Sequence, residues 1–84
     1  MPSYLLETYV PRARTDELAE AAARARDTAL RLEADGRRIR FVRSTFVPSD
    51  EIGVLVFEAE SADTVGEVAR RAAITYERIV EAIE

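Results

Sequence analysis

Residues 53–61 read GVLVFEAES, and this stretch decides the fold because a strand of this sequence is apolar on both faces. Successive side chains of a strand point to opposite faces. One face would carry Val54 and Val56, and the other would carry Leu55, Phe57 and Ala59. Helices of the same chain can bury one of these faces, and the second face must be buried by something else. A chain of 84 residues is near the lower size limit for independent folding, so a large apolar surface left over is expected to bind a partner.

The composition excludes several kinds of active site. The chain contains no Cys, His, Lys, Trp, Asn or Gln, and all twelve of its basic residues are Arg. Thiol nucleophiles, Schiff-base lysines, histidine-based triads and zinc or nickel sites built on Cys or His are therefore excluded. Asp, Glu, Tyr, Arg, hydroxyl and backbone groups remain for chemistry. We expect no cofactor.

The charge and hydropathy patterns predict a soluble, cytoplasmic protein. The net charge is -4 and the Arg residues alternate with acids, which disfavours nucleic acid as a partner. No apolar run approaches the roughly 18 to 20 residues that span a membrane. The N-terminal stretch MPSYLLETYV lacks the basic start and the apolar centre of a signal peptide.

Three strands are predicted, over Ser3–Tyr9, 38–47 and 52–60. The first is short, rich in aromatic and aliphatic residues and bounded by Pro2 and Pro11, the second alternates between apolar and polar residues, and the third is apolar on both faces. The segment PSDE at residues 48–51 is a tight turn, so the second and third strands form an antiparallel hairpin. Regular alternation in the second strand predicts Ile39, Phe41, Arg43 and Thr45 on one face, and Arg40, Val42, Ser44 and Phe46 on the other.

Apolar residues repeated every three or four positions predict two helices. The first runs for about twenty residues from a cap at Thr15 to a stop at Gly36, and the second follows a cap at Ser61. The last eleven residues, ITYERIVEAIE, fit a helix or a strand. Their β-branched side chains favour a strand over residues 78–83.

The resulting order is β-α-β-β-α-β, which predicts a single α+β domain over residues 1–84 with the ferredoxin-like fold. Right-handed crossovers place both helices on one face of a four-stranded antiparallel sheet, with the first and third strands in the middle. The other face stays bare. We therefore expect a homodimer in which two sheets stack and enclose a small barrel-like interior.

Four stretches spread over the chain read YLLETY, RFVRSTFVPSDE, VFEAESADTV and YERIVEA. Together they resemble the small bacterial family DUF4242, whose members are also named nickel-binding or nickel-responsive proteins. The resemblance covers essentially the whole chain and implies the ferredoxin-like fold and a dimeric α+β barrel. Some relatives carry a Cys in the third strand and a His after the second helix, where this chain has Leu55 and Ile74. The resemblance therefore does not extend to nickel, and we expect no metal site.

The candidate site consists of polar residues expected near the interior between two stacked sheets. These residues are Glu7, Tyr9, Arg43, Ser44, Thr45, Glu58 and Tyr76. An acid beside an Arg and a Tyr in a dry cavity can bind an anionic or hydroxylated small molecule, or serve as a general base. The alternative for Glu7 and Glu58 is an ion pair with an Arg across the sheet.

A cluster of arginines near the second strand also has two interpretations. Arg37, Arg38 and Arg40 could bind phosphate through their guanidinium groups. The simpler interpretation is that they complement the negative end of the first helix and shield an edge strand.

Three functions remain open at the level of sequence. The preferred one is a homodimeric module that binds a small molecule or assists another protein. The alternative is a cofactor-independent enzyme of the monooxygenase, isomerase or cyclase type, with Glu, Tyr and Arg in the dimer cavity, which rests on fold analogy alone. A third is a structural partner for another protein. The lack of His, Lys and Cys weighs against the enzyme, because these residues supply most catalytic acids, bases and nucleophiles.

Overall fold

The computed structural model describes residues 1–83 and contains, within them, four strands and two α-helices. In chain order these are β1 (Ser3–Tyr9), α1 (Thr15–Ala34), β2 (Ile39–Val47), β3 (Ile52–Ala59), α2 (Ala62–Arg71) and β4 (Arg78–Ala82). The sheet order is β2-β3-β1-β4, and every neighbouring pair is antiparallel. The predicted ferredoxin-like fold is confirmed, including the strand at the C-terminal end. No helix in the described part of the chain is long and apolar enough to cross a lipid bilayer.

One face of the sheet, here called the helix face, packs against α1 and α2. The largest fully buried apolar side chains between the sheet and the helices are Phe57, Leu6, Ile39 and Leu55 of the strands and Val65 and Val68 of α2. Complete burial of side chains of this size stabilises the fold by about 1.5–3 kcal/mol each. A Cβ atom added at Gly53 would lie 2.7 Å from Cδ1 of Leu18. Glycine at this position therefore lets α1 approach the sheet closely.

The opposite face, here called the open face, is covered by neither helix. Pairing registers place Leu5 of β1 between Val56 of β3 and Val80 of β4. Directly opposite residues share a face, so these three side chains form an apolar row across the sheet. Val54, two residues from Val56 on β3, extends the row. The helices cover one apolar face of β3, as predicted. The predicted cover of the open face by a second copy stays a prediction.

The predicted alternation in β2 is wrong beyond Phe41. A bulge lies between Phe41 and Arg43, so Arg43 pairs with Val56 and Ser44 pairs with Leu55. The extra residue reverses the facing of every later residue in the strand. Arg43 and Thr45 consequently lie on the open face. Ser44 and Phe46 lie on the helix side, together with Ile39 and Phe41.

The helix starts follow the prediction at one of two positions. The Oγ atom of Ser61 accepts a hydrogen bond from the backbone N–H of Thr64 at 3.3 Å, as expected for an N-cap. The predicted cap at Thr15 is wrong. Thr15 is already helical, because a 3-10 turn at Arg12–Arg14 leads into α1, and the preceding cap position makes no side-chain hydrogen bond.

Candidate functional site

Five of the predicted site residues share the open face. Glu7 and Tyr9 lie on β1, opposite Val54 and Ile52, and Arg43, Thr45 and Glu58 lie on the same side of β2 and β3. Tyr9 is 59% exposed at the end of its strand. The polar groups therefore surround the apolar row of Leu5, Val56 and Val80 instead of converging on one point.

The acids of the open face are held by arginines across the sheet. Glu7 Oε2 lies 3.1 Å from Nε of Arg78, its partner in the register of β1 and β4. Glu58 forms an ion pair with Arg40, its partner in the register of β2 and β3. The side chains of Glu7 and Glu58 are only 18% and 33% exposed. The structure thus contains the cross-sheet ion pairs that were the alternative interpretation of both residues.

Two predicted site residues lie away from the open face. Ser44 is turned to the helix side by the bulge in β2. Tyr76 lies in the segment between α2 and β4, where its hydroxyl would be 3.8 Å from a Cβ atom added at Gly66 of α2. Tyr76 lines an open groove along α2 together with Asp63, Arg70 and Ile79. The side chain of Tyr76 therefore lies toward α2, on the other side of the sheet from the side chains of Glu7 and Arg43.

Arg37 belongs to an ion-pair network that joins the end of α1 to the start of α2. Its Nη1 lies 2.9 Å from Oε1 of Glu67, its Nε donates to Oε1 of Glu60 at 3.3 Å, and its Nη2 donates to Thr64 Oγ1. Arg71 also pairs with Glu67, at 2.8 Å. With Arg40 bound to Glu58, two of the three clustered arginines form ion pairs with acids of this chain, and this disfavours phosphate binding by these two residues. The ion pairs of Arg37 differ from the predicted contact with the end of α1.

The same contacts change the acidity of both partners. Hydrogen bonding from Arg37 lowers the pKa of the Glu67 carboxyl below its ordinary value of 4.5, although partial burial acts in the opposite direction. Hydrogen bonds to Glu67 and Glu60 raise the pKa of Arg37. Both shifts favour the charged forms, so the network is an electrostatic link between elements.

A cleft that the sequence did not predict lies at the rim of the sheet, between the end of β1, the first half of α1 and the segment after α2. We call it the rim cleft, and its volume is about 310 Å³. Val10, Leu18 and Ile74, all nearly buried, contribute apolar surface. Glu17, Glu20 and Arg24 contribute charge from successive turns of α1.

Two tertiary hydrogen bonds hold the far wall of the rim cleft. Nε of Arg24 donates to the carbonyl oxygen of Ala72 at 2.8 Å, and Oγ1 of Thr8 donates to the carbonyl oxygen of Thr75 at 2.7 Å. These partners are 48 and 67 residues apart in the chain. The spacing of Glu20 and Arg24, four residues apart on α1, indicates only a pair within that helix. No local pattern signals a contact of this range.

The described residues provide no cluster for a metal ion. Among residues 1–83, no group of three or more His, Cys, Asp or Glu side chains is positioned to bind one.

Comparison with known proteins identifies a similar fold. The crystal structure of SCO4226 from Streptomyces coelicolor A3(2) is similar to this chain over 95% of its length and 94% of the SCO4226 chain. The TM-score is 0.70 and the sequence identity is 21%, so the likeness shows the fold alone. No protein-family model matches this chain, and no curated protein matches it. The resemblance to DUF4242 stays a prediction.

Proposed function

We propose that this protein is a small cytoplasmic ligand-binding module that works as a homodimer, with the open faces of two copies stacked. The observation that carries the dimer is the apolar row of Leu5, Val56 and Val80 on a sheet face that neither helix covers. Val56 is only 7% exposed even in the single chain, because its neighbours on the sheet surround it. A contiguous apolar surface of this kind marks an interaction site.

The charged acids of the open face are paired, and they are therefore compatible with burial under a second copy that excludes water. Burial of a lone charge is costly, whereas a charge that is paired and hydrogen-bonded can enter an interface. Glu7 is paired with Arg78 and Glu58 with Arg40 within one chain. These pairs lie on either side of the apolar row. A second copy could therefore cover the centre without leaving these acids unpartnered.

The rim cleft supports the binding part of the proposal. Its volume of about 310 Å³ is at the lower end of the range for small-molecule sites, and it combines apolar surface with a few charged groups. The cross-sheet ion pairs of Glu7 and Glu58 give these acids a structural role. They therefore favour a binding module over the alternative of an enzyme that uses those acids.

The mass of the protein in solution tests the dimer. We expect native mass spectrometry and light scattering at micromolar concentration to give twice the chain mass of 9.4 kDa. Leu5→Lys places a charge in the centre of the open face and should give a folded monomer. The matched control is Leu30→Lys, which makes the same change at a residue of α1 that is 56% exposed.

Circular dichroism establishes that both variants are folded before their masses are compared. The control should remain dimeric. A wild-type protein that is monomeric under these conditions, or a Leu5→Lys variant that is folded and still dimeric, would show that the open face is not the interface.

A further inference from the structure

Two opposite charges at the mouth of the rim cleft, those of Glu20 and Arg24, have no ionic partner in the part of the chain that the structure describes. Glu17 pairs with Arg14 at 3.4 Å, but neither Glu20 nor Arg24 takes part in an ion pair among residues 1–83. They are four residues apart on α1 and therefore lie on the same side of the helix. Such a pair normally forms a salt bridge. Here both charges line the cleft without making one.

A hydrogen bond to the end of α2 orients the guanidinium of Arg24. Its Nε donates to the carbonyl oxygen of Ala72, the residue that ends α2, at 2.8 Å. The terminal nitrogens Nη1 and Nη2 make no hydrogen bond to a described residue. A guanidinium fixed at Nε presents these two nitrogens as a fork that matches a carboxylate.

The floor of the cleft supplies the third recognition element. Val10, Leu18 and Ile74 are 4%, 6% and 8% exposed, so they form a packed apolar floor beneath the charged mouth and present only a small part of their surface to the cleft. The cleft thus offers a cation, an anion and an apolar surface next to one another. A ligand that uses all three has a carboxylate, an ammonium group and an apolar side chain.

We infer that the rim cleft binds a free α-amino acid with an apolar side chain. Arg24 contacts the carboxylate, Glu20 contacts the ammonium group, and the side chain packs on Val10, Leu18 and Ile74. This inference rests on the proposed ligand-binding function and names the class of ligand. The competing explanation is that Arg24 only tethers the end of α2 through Ala72, in which case the cleft has no preference among small molecules.

Three related probes separate these explanations in an NMR titration of the ¹⁵N-labelled protein. L-Leucine carries both charges, 4-methylpentanoate lacks the ammonium group, and 3-methylbutylamine lacks the carboxylate. We expect leucine to cause saturable amide shifts at residues 8–10, 17–24 and 73–75. Each analogue should bind at least about tenfold more weakly, since a hydrogen bond to a charged group is lost.

Charge-neutralising variants assign the two roles. We expect Arg24→Gln and Glu20→Gln each to weaken leucine binding by about tenfold or more. Arg31→Gln and Glu33→Gln make the same changes on α1 outside the cleft and should bind leucine as the wild type does. Since Arg24→Gln also loses the bond to Ala72, Glu20→Gln is the variant that tests the cleft without loosening α2.

The failure of this inference is distinguishable from failure of the dimer. Shifts from leucine that do not saturate, that occur on the open face, or that equal those from both analogues would refute the amino-acid site. The mass of the same samples reports separately on assembly. A dimer without a leucine site contradicts only the ligand class, and a monomer that binds leucine contradicts only the dimer.

Discussion

Ala73 has a backbone conformation that its side chain disfavours. Its φ of 55° lies in the left-handed region, although it is not glycine. It follows α2 at the position where helices commonly end with glycine, and Ile74 N–H donates to the carbonyl oxygen of Ala69 at 2.8 Å to complete the helix end. The left-handed conformation costs a residue with a Cβ atom about 1–2 kcal/mol.

Ala73→Gly should therefore stabilise the protein. We expect the free energy of unfolding to rise by about 0.5–1 kcal/mol, because relief of the left-handed strain exceeds the added flexibility of the unfolded chain. Urea denaturation followed by circular dichroism measures the change. Ala23→Gly, in the exposed interior of α1, should destabilise by a similar amount. If the two substitutions changed the free energy of unfolding by the same amount and in the same direction, the backbone of Ala73 would not be strained.

The strands show which features of an element follow from sequence. The bounds of β1 follow from its aromatic and aliphatic residues and from the prolines at positions 2 and 11, and the hairpin of β2 and β3 follows from the turn at residues 48–51. The bulge after Phe41 does not, because the residues RFVRS have no Gly or Pro to mark it. This one insertion moved Ser44 to the helix side and separated it from the other predicted site residues.

The contacts between elements were less predictable than the elements. Arg37 was predicted to complement the end of α1, yet it binds Glu60 and Glu67 in the next part of the fold. The rim cleft likewise needs β1, α1 and the segment after α2 to be in place before Arg24 reaches Ala72. A sequence pattern reports on neighbours within one helix or strand, and these partners are neighbours only in space.

The Arg37 network predicts a pH dependence of stability. The pKa of Glu67 is lower in the folded protein than its ordinary value of 4.5, so its contribution is fully present above that pH. The contribution is lost as the pH falls below 4.5 and through the lowered pKa of the folded state. We therefore expect the wild type to be more stable than Glu67→Gln at pH 7 and to lose this advantage in acid.

Urea denaturation at a series of pH values between about 7 and 3 measures this difference, over the range in which carboxyl groups titrate. Glu33→Gln is the control, because Glu33 is exposed on α1 and lies outside the network. Its difference from the wild type should change little with pH. A Glu67→Gln difference that stays constant over the series would mean that the contact with Arg37 contributes no stability.

At the scale of the whole molecule, two helices cover one face of the sheet and neither helix covers the open face. The sequence predicted this imbalance from the two apolar sides of residues 53–61, because topology alone assigns both helices to one side. A stacked dimer makes unfolding and dissociation one process. Its stability must then depend on protein concentration.

We expect the thermal midpoint of the wild type to rise with concentration. For a dimer that unfolds to two chains, each tenfold increase in concentration adds about 1.4 kcal/mol to the apparent free energy of unfolding, or several degrees. Calorimetry over a hundredfold range of concentration measures the shift. Leu5→Lys should unfold at one temperature throughout, and Leu30→Lys should follow the wild type. A wild-type midpoint that is independent of concentration would contradict a dimer held together by the open face. It would mean that the chains do not dissociate when the protein unfolds, or that they were never associated.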